Sequence, residues 1–193
     1  MLGAALAADV SIIALHLTRP AIQIPDREAL GMPSHFEASK GAYIIKGYDE
    51  DRQKDGVVLM RGTSVISEVC KILPQLIDNG PNIKIVASLS WGLFELQSEV
   101  YRNSVMQAEE WLDCMVITNT SIGNMSHWVQ HPIVKEYSLS ADWDNNWRTG
   151  GSLDEIIDEA HLSPRWVLSA IEKFASERKI RLEKLNKQVP DLD

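Results

Sequence analysis

The chain has 193 residues, of which 45% are hydrophobic and 24% charged, a composition close to that of soluble globular proteins. This length suits one domain with a surplus, and it buries a core large enough to need no disulfide or metal support. With 19 basic and 27 acidic residues the net charge is −8, which argues against a general nucleic-acid binder and, more weakly, against a protein held on an anionic membrane.

The first predicted element is a short buried strand over Ser11–Thr18, where the sequence SIIALHLT is rich in Ile and Leu. A proline-rich segment follows and predicts an extended linker. Because the chain opens directly in an apolar run, we expect residues 1–34 to be the end of a preceding domain plus this linker. A strand separated from its sheet has an unpaired apolar edge, so we expect it to be disordered, or to pack in a non-native way or against another chain.

Residues 35–176 carry the alternating pattern of an α/β domain. Gly41–Lys46 and Val57–Arg61 have the composition of strands, and apolar residues at helical spacing over Val65–Ile77 predict a helix. A further strand is predicted at Ile83–Ser88. Strand, helix and strand within about thirty residues form a βαβ unit, which predicts a parallel strand pair with a right-handed crossover.

The sequence predicts fewer strands in the second half of the chain. A short helix is indicated over Phe94–Val105 and a buried strand over Cys114–Thr118, and Ile133–Leu139 is interpreted as another strand. Ser152 and Glu155 have the spacing of a capping box at the start of a helix.

Pro164 predicts the first residue of the last apolar helix. The charged tail, residues 177–193, is expected to fray, and its basic residues are interpreted as a solvated helix face. These basic residues are Arg178, Lys179, Arg181 and Lys184.

Nothing in the sequence points to a membrane span, a signal peptide or a disulfide framework. No stretch approaches the roughly 20 apolar residues of a membrane helix, and the opening residues lack a basic region. Cys70 and Cys114 form no Cys-x-x-Cys pair. We therefore predict a cytoplasmic protein with no membrane or nucleic-acid partner, in which both thiols are core residues.

Two motifs are tested for metal or anion binding. His127 and His131 have the i, i+4 spacing of helical metal ligands, but the residue between them that would be a general base is Trp128, and Pro132 ends any helix there. Loop histidines are therefore favoured. Gly62-Thr63-Ser64 lies between a strand and a helix, where backbone amides hold phosphate in some proteins. Without further glycines or a lysine, a tight turn with a hydroxyl cap is favoured over an anion site.

Two further candidates carry charge. Asp142, Trp143, Asp144 and Trp147 form an acidic and aromatic cluster; paired carboxylates suit acid–base or metal chemistry, but a surface loop with aromatic anchors is favoured. Arg19 directly follows the first predicted strand, where α/β proteins place ligand contacts, and its guanidinium suits phosphate. From the residues alone, a structural ion pair is favoured for it.

Several of these segments resemble the C-terminal part of transketolases, and the resemblance extends roughly from Asp9 to Phe174. ALHLTR (14–19) is similar to the strand that ends the family's pyrimidine-binding domain, and GAY (41–43) to the opening of its C-terminal domain. GTSV (62–65) is similar to a strand–helix turn of the family, and SWGLF (90–94), with Gln97, Tyr101 and Arg102, to a helix motif.

This resemblance implies a three-layer αβα domain with a mixed, mostly parallel five-stranded sheet. It also implies an enzyme that moves two-carbon ketol units between sugar phosphates, with thiamine diphosphate and Mg²⁺ held by upstream cofactor-binding and pyrimidine-binding domains of a homodimer. The family's metal–diphosphate motif and activating glutamate lie upstream, so this chain is expected to hold no catalytic, cofactor or metal residue, and to be inactive in isolation. Arg19 matches the family's phosphate-binding arginine.

The sequence also departs from the transketolase pattern. Asn119-Thr120-Ser121 stands where the family has Glu-Ala-Gly, and residues 145–151 differ from its D-x-F-G-x-S-G motif. Pyruvate dehydrogenase β-subunits and deoxyxylulose-phosphate synthases share this domain, and both remain alternatives. A regulatory α/β module that binds a nucleotide or small anion at Gly62–Ser64 is a further alternative of a different class.

Overall fold

The computed structural model describes residues 1–8, 10–18, 21–148 and 150–188, and it contains a five-stranded sheet in the order β1-β3-β2-β4-β5. β1 is antiparallel to β3, and the other neighbouring pairs are parallel, as the sequence and its resemblance predict. The strands are β1 (Ala42–Lys46), β2 (Gly56–Arg61), β3 (Ile83–Ser88), β4 (Cys114–Thr118) and β5 (Leu139–Ser140).

Helices cover both faces of the sheet, which confirms the three-layer α/β architecture. The α-helices are α1 (Leu2–Ala7), α2 (Thr63–Asp78), α3 (Trp91–Glu95), α4 (Glu99–Val105), α5 (Pro132–Tyr137), α6 (Leu153–Glu159), α7 (Pro164–Ser176) and α8 (Arg178–Gln188). Short 3₁₀ helices span His35–Lys40, Glu109–Trp111 and Ile122–Met125. None of the helices in these ranges is long and apolar enough to cross a bilayer.

The central strands form the core because they are apolar on both faces. Val57–Met60 of β2 and Cys114–Ile117 of β4 have no exposed surface, as expected of strands covered by helices on both sides. Cys114 is buried as predicted, whereas Cys70 is half-buried, and burial raises the pKa of both thiols. Neither thiol has the low-pKa environment of a reactive cysteine.

Two local predictions from helix-end chemistry are confirmed. The Ser152 hydroxyl accepts from the Glu155 backbone amide while the Glu155 carboxylate accepts from the Ser152 amide, which completes the capping box of α6. Pro164 is the first residue of α7, where its missing amide hydrogen has no intrahelical partner to lose.

Residues 11–18 are exposed throughout and pair with no strand among the described residues, and the sequence placed their partner in a preceding domain. Two other predicted elements are wrong. The Ile133–Leu139 strand is instead the helix α5 followed by the two-residue β5, since Pro132 and the His131 side chain start a helix there. The single helix expected over Phe94–Val105 is two helices, because Ser98 caps a new one.

The charged tail also differs from its prediction. Residues 178–188 form α8, and the guanidinium of Arg181 is fully buried rather than solvated. Arg181 and Arg178 both donate to the carboxylate of Asp113, which precedes β4 at the amino edge of the parallel strands. The ion cluster docks the tail on the core; residues 189–193 lie outside the described residues.

Two of the segments that resemble the transketolase family, GAY (41–43) and SWGLF (90–94), lie against each other. The Gly41 carbonyl accepts from the amides of Leu89 and Ser90 at 2.8 and 2.9 Å, directly before α3. The Tyr101 hydroxyl donates to the Ala42 carbonyl at 2.8 Å, and burial raises the pKa of Tyr101 to about 12. The residues of both motifs therefore fix how β1 meets α3 and α4.

Candidate functional site

The carboxyl ends of the parallel strands define the candidate site. The chain leaves β2 toward β3 on one side and later returns to β4 on the other side, so the strand order reverses between β2 and β4. Ligands of open α/β sheets bind outside the carboxyl ends of the strands at such a point. The segments that follow the strands there are Gly62–Ser64, Asn119–Ser121 and 141–148.

Asn119 fills the space in front of α2. A Cβ added to Gly62, whose φ is +109°, would overlap the Asn119 carboxamide, and Asn119 Nδ2 donates to Ser64 Oγ at 2.9 Å. The predicted hydroxyl cap is absent, because Gly62 is the N-cap and no side chain caps it. With a carboxamide held beside Gly62, the geometry gives no support to an anion site at Gly62–Ser64.

Asp142 joins the two loops of the site. Its Oδ1 accepts from the Ile122 amide at 3.2 Å. Burial alone would raise the pKa of Asp142, but hydrogen bonding from the Ser121 and Ser140 side chains and the Ile122 amide outweighs burial and holds the pKa below its usual range.

The Asp144 carboxylate is also held by protein donors. Both of its carboxylate oxygens accept from the Arg148 guanidinium at 2.9 Å, in the planar fork geometry that arginine offers a carboxylate. This hydrogen bonding from Arg148 holds the pKa of Asp144 well below its usual range. With Asp142 and Asp144 each held by local donors, the paired acid–base hypothesis has no support from geometry.

A groove of about 510 Å³ runs between the loops that follow β4 and β5. Trp147 is 89% exposed at this groove, so it is not the anchor that the sequence predicted. The Nε of Arg148 is buried and has no acceptor among the residues that the structure describes. The groove is lined by Asn119, Thr120, Ser121, Ala141, Asp142, Asn145, Asn146, Trp147 and Arg148.

Trp143 is a true anchor of the loop. Its ring stacks on His161 at 4.2 Å, and His161 stacks on Trp166 at 3.9 Å, which ties the loop to the start of α7. His161 has a φ of +58° at the end of α6, a left-handed conformation that favours glycine. The two stacking contacts offset this backbone strain.

The two histidines of the metal hypothesis are structural. His131 Nδ1 accepts from the Ile133 amide and caps α5, while His127 stacks on Trp91 at 5.4 Å. Within residues 1–8, 10–18, 21–148 and 150–188, no three His, Cys, Asp or Glu side chains group as metal ligands.

Arg19 lies outside the described residues, so its phosphate-binding role remains a prediction. Sequence reasoning treated Asn119 only as a departure from a family pattern and did not single out Arg148. A signal for Asn119 existed, because it directly follows the predicted strand Cys114–Thr118. Arg148 had no such signal, since its burial depends on the fold of an irregular loop.

Two of the three comparisons with known proteins match transketolases. No protein-family model matches the chain. Transketolase 10 from Craterostigma plantagineum is 30% identical over 70 residues, which are 36% of this chain and 10% of that protein.

The solved transketolases match over more of the chain. The Pichia stipitis enzyme, solved in complex with sedoheptulose 7-phosphate, superposes with a TM-score of 0.55 at 22% identity, covering 76% of this chain and 20% of that one. Transketolase from Campylobacter jejuni gives 0.51 at 13% identity, covering 77% and 20%. The chain thus spans about a fifth of these solved relatives. The resemblance found in the sequence motifs is confirmed, and the chain has the fold of one part of the transketolases.

Proposed function

We propose that this chain is the C-terminal part of a transketolase-type enzyme that transfers two-carbon ketol units between sugar phosphates. The observation that carries the proposal is the match of 76% of the chain to only 20% of a Pichia stipitis transketolase. The contact between Gly41 and the segment that starts α3 supports it, because the motifs that carry the resemblance also meet in space. In this proposal residues 1–34 end the preceding domain, 35–176 form the C-terminal domain, and 177–193 extend it.

The proposed role of the chain is structural. The family's metal–diphosphate motif and activating glutamate lie upstream of this part, so no catalytic step is assigned to this chain. Thiamine diphosphate and the metal are held by upstream domains in this proposal, and the complete enzyme is a cytoplasmic homodimer. The two free thiols are consistent with a reducing compartment.

The exposed start of the chain supports a preceding domain. Ile12 and Leu17 are 88% and 82% exposed, and all residues from 11 to 18 are exposed. A contiguous apolar segment of this kind marks a surface that another part of a protein covers. In the proposal this partner is the sheet of the pyrimidine-binding domain.

The proposal is tested on the native protein purified from its source. An antibody raised against this chain captures the native protein, and the captured fraction is assayed with sedoheptulose 7-phosphate, an acceptor aldose phosphate, thiamine diphosphate and Mg²⁺. We expect ketol transfer there, and calorimetric titration of the 193-residue chain with cofactor and Mg²⁺ should give no heat. A captured protein without ketol transfer, or micromolar cofactor binding by the chain alone, would contradict the proposal.

Arg19 is predicted to bind the phosphate of the sugar substrate in the complete enzyme. Arg19→Ala is expected to raise KM for phosphorylated substrates by about 10-fold to 100-fold, because a charge-assisted hydrogen bond is worth about 1.5–3 kcal/mol. The KM for unphosphorylated analogues should change little. Arg19→Lys, which keeps the charge but loses the planar fork, is the control and should be intermediate. Equal effects on both substrate types would make Arg19 a structural residue.

A further inference from the structure

Trp147 presents an uncovered aromatic face at the groove between the loops that follow β4 and β5. It is 89% exposed, whereas Trp143 on the same loop is stacked on His161. The groove has a volume of about 510 Å³ and is largely open to solvent. A flat, solvated indole at the wall of such a groove is suited to stacking against another planar ring.

A polar side chain near Trp147 suits the edge of a heterocycle. Asn145 lines the same groove, and a carboxamide holds a donor and an acceptor in one plane, the arrangement that pairs with the edge of adenine. A purine offers both a stacking face and matching edge atoms.

The charges at the groove disfavour a phosphate. Asp142 lines the groove, and Arg148, the one cation among the described lining residues, is paired with Asp144. Both Nη atoms of Arg148 are held by Asp144, so its charge is neutralised locally. The adjoining α2 N-terminus is covered by Asn119. An uncharged ligand therefore fits this groove better than a nucleotide does.

The position of the groove adds an independent argument. It lies at the carboxyl ends of β4 and β5, beside the point where the strand order reverses. We propose that the groove binds an uncharged purine nucleoside, with the base stacked on Trp147 and its edge facing Asn145. This site is independent of ketol transfer.

The test uses nuclear magnetic resonance on the 193-residue chain. Its six tryptophans give six indole Nε1–H signals, and the Trp147 signal is assigned by its loss in Trp147→Phe. Titration with adenosine is expected to shift the Trp147 indole and Asn145 side-chain amide signals together, with a Kd on the order of 1 mM for a ligand of this size. D-ribose, which lacks the base, should shift neither signal.

Variants separate stacking from non-specific effects. Trp147→Ala is expected to weaken adenosine binding about 10-fold or more, read from the Asn145 side-chain amide signal, because base–aromatic stacking is worth about 1–3 kcal/mol. Trp147→Phe keeps a ring and should bind nearly as well. Val100→Ala, at an 82% exposed position on α4, is the control and should leave binding unchanged.

Four outcomes would overturn the inference. They are no shift with adenosine, equal shifts with ribose, unchanged binding by Trp147→Ala, and at least tenfold tighter binding of adenosine monophosphate. The last outcome would indicate that a phosphate is recognised, against the charge argument. Because Trp147 is almost fully exposed, its substitution leaves the fold intact, and unchanged far-ultraviolet circular dichroism checks this.

Discussion

Replacing Arg181 with alanine is expected to lower the free energy of unfolding by about 3–5 kcal/mol, the usual cost of removing one partner of a buried ion pair. Arg181 donates from Nη2 and Nε to Asp113 Oδ1 at 2.5 and 3.1 Å, and from Nη1 to the Phe174 carbonyl at 2.5 Å. Its guanidinium lies 3.6 Å from the centre of the Phe174 ring. Without Arg181, the Asp113 carboxylate remains buried with Arg178 as its remaining cation.

Urea denaturation followed by circular dichroism measures this loss. The matched control is Arg178→Ala, since Arg178 is partly exposed and makes one bond to the same carboxylate. Its removal should cost about 1 kcal/mol or less, because solvent screens a partly exposed pair. A loss for Arg181→Ala no larger than that for Arg178→Ala would mean that α8 frays, as the sequence pattern first suggested.

Gly41→Ala is the second substitution with a large expected effect, and we expect a loss of about 3 kcal/mol or more. Gly41 has a φ of +86°, and strain of this kind costs a non-glycine residue about 1–3 kcal/mol. An added Cβ would also lie less than 3 Å from backbone atoms of Ser90, Leu93 and Phe94. Backbone atoms cannot move aside as a flexible side chain does, so the overlap adds a cost of about 1–3 kcal/mol.

Gly92→Ala is the control, because Gly92 lies in the adjacent helix α3 and an added Cβ there meets nothing within 4 Å. Alanine is the better helix former, so this variant should gain about 0.5–1 kcal/mol. Thermal unfolding of both variants beside the parent chain gives the comparison. If Gly41→Ala unfolds at the temperature of Gly92→Ala, β1 does not meet α3 as described.

The core strands were predictable because their signal is local. β2, β3 and β4 are continuous apolar runs bounded by turn residues, and each lies within one residue of its predicted range. The helix ends at Ser152 and Pro164 were predictable for the same reason, since a cap depends on three or four neighbouring residues.

The rest depended on partners that are distant in sequence. Arg181 looks like a surface residue until Asp113, 68 positions earlier, is placed beside it. Asn119 meets Ser64 over a separation of 55 residues, so no local pattern announces the contact. The apolar run Ile133–Leu139 was predicted as a strand, but His131 and Pro132 start a helix there.

The ion cluster around Asp113 and the groove beside Trp147 lie at opposite edges of one sheet. Asp113 precedes β4 at its amino end, and the groove loops follow β4 and β5 at their carboxyl ends. The contacts that hold the tail to the core therefore share no side chain with the groove. Residues 145–147 are exposed and can accumulate substitutions without loosening the core, so this edge is where a new binding specificity can evolve on an unchanged scaffold.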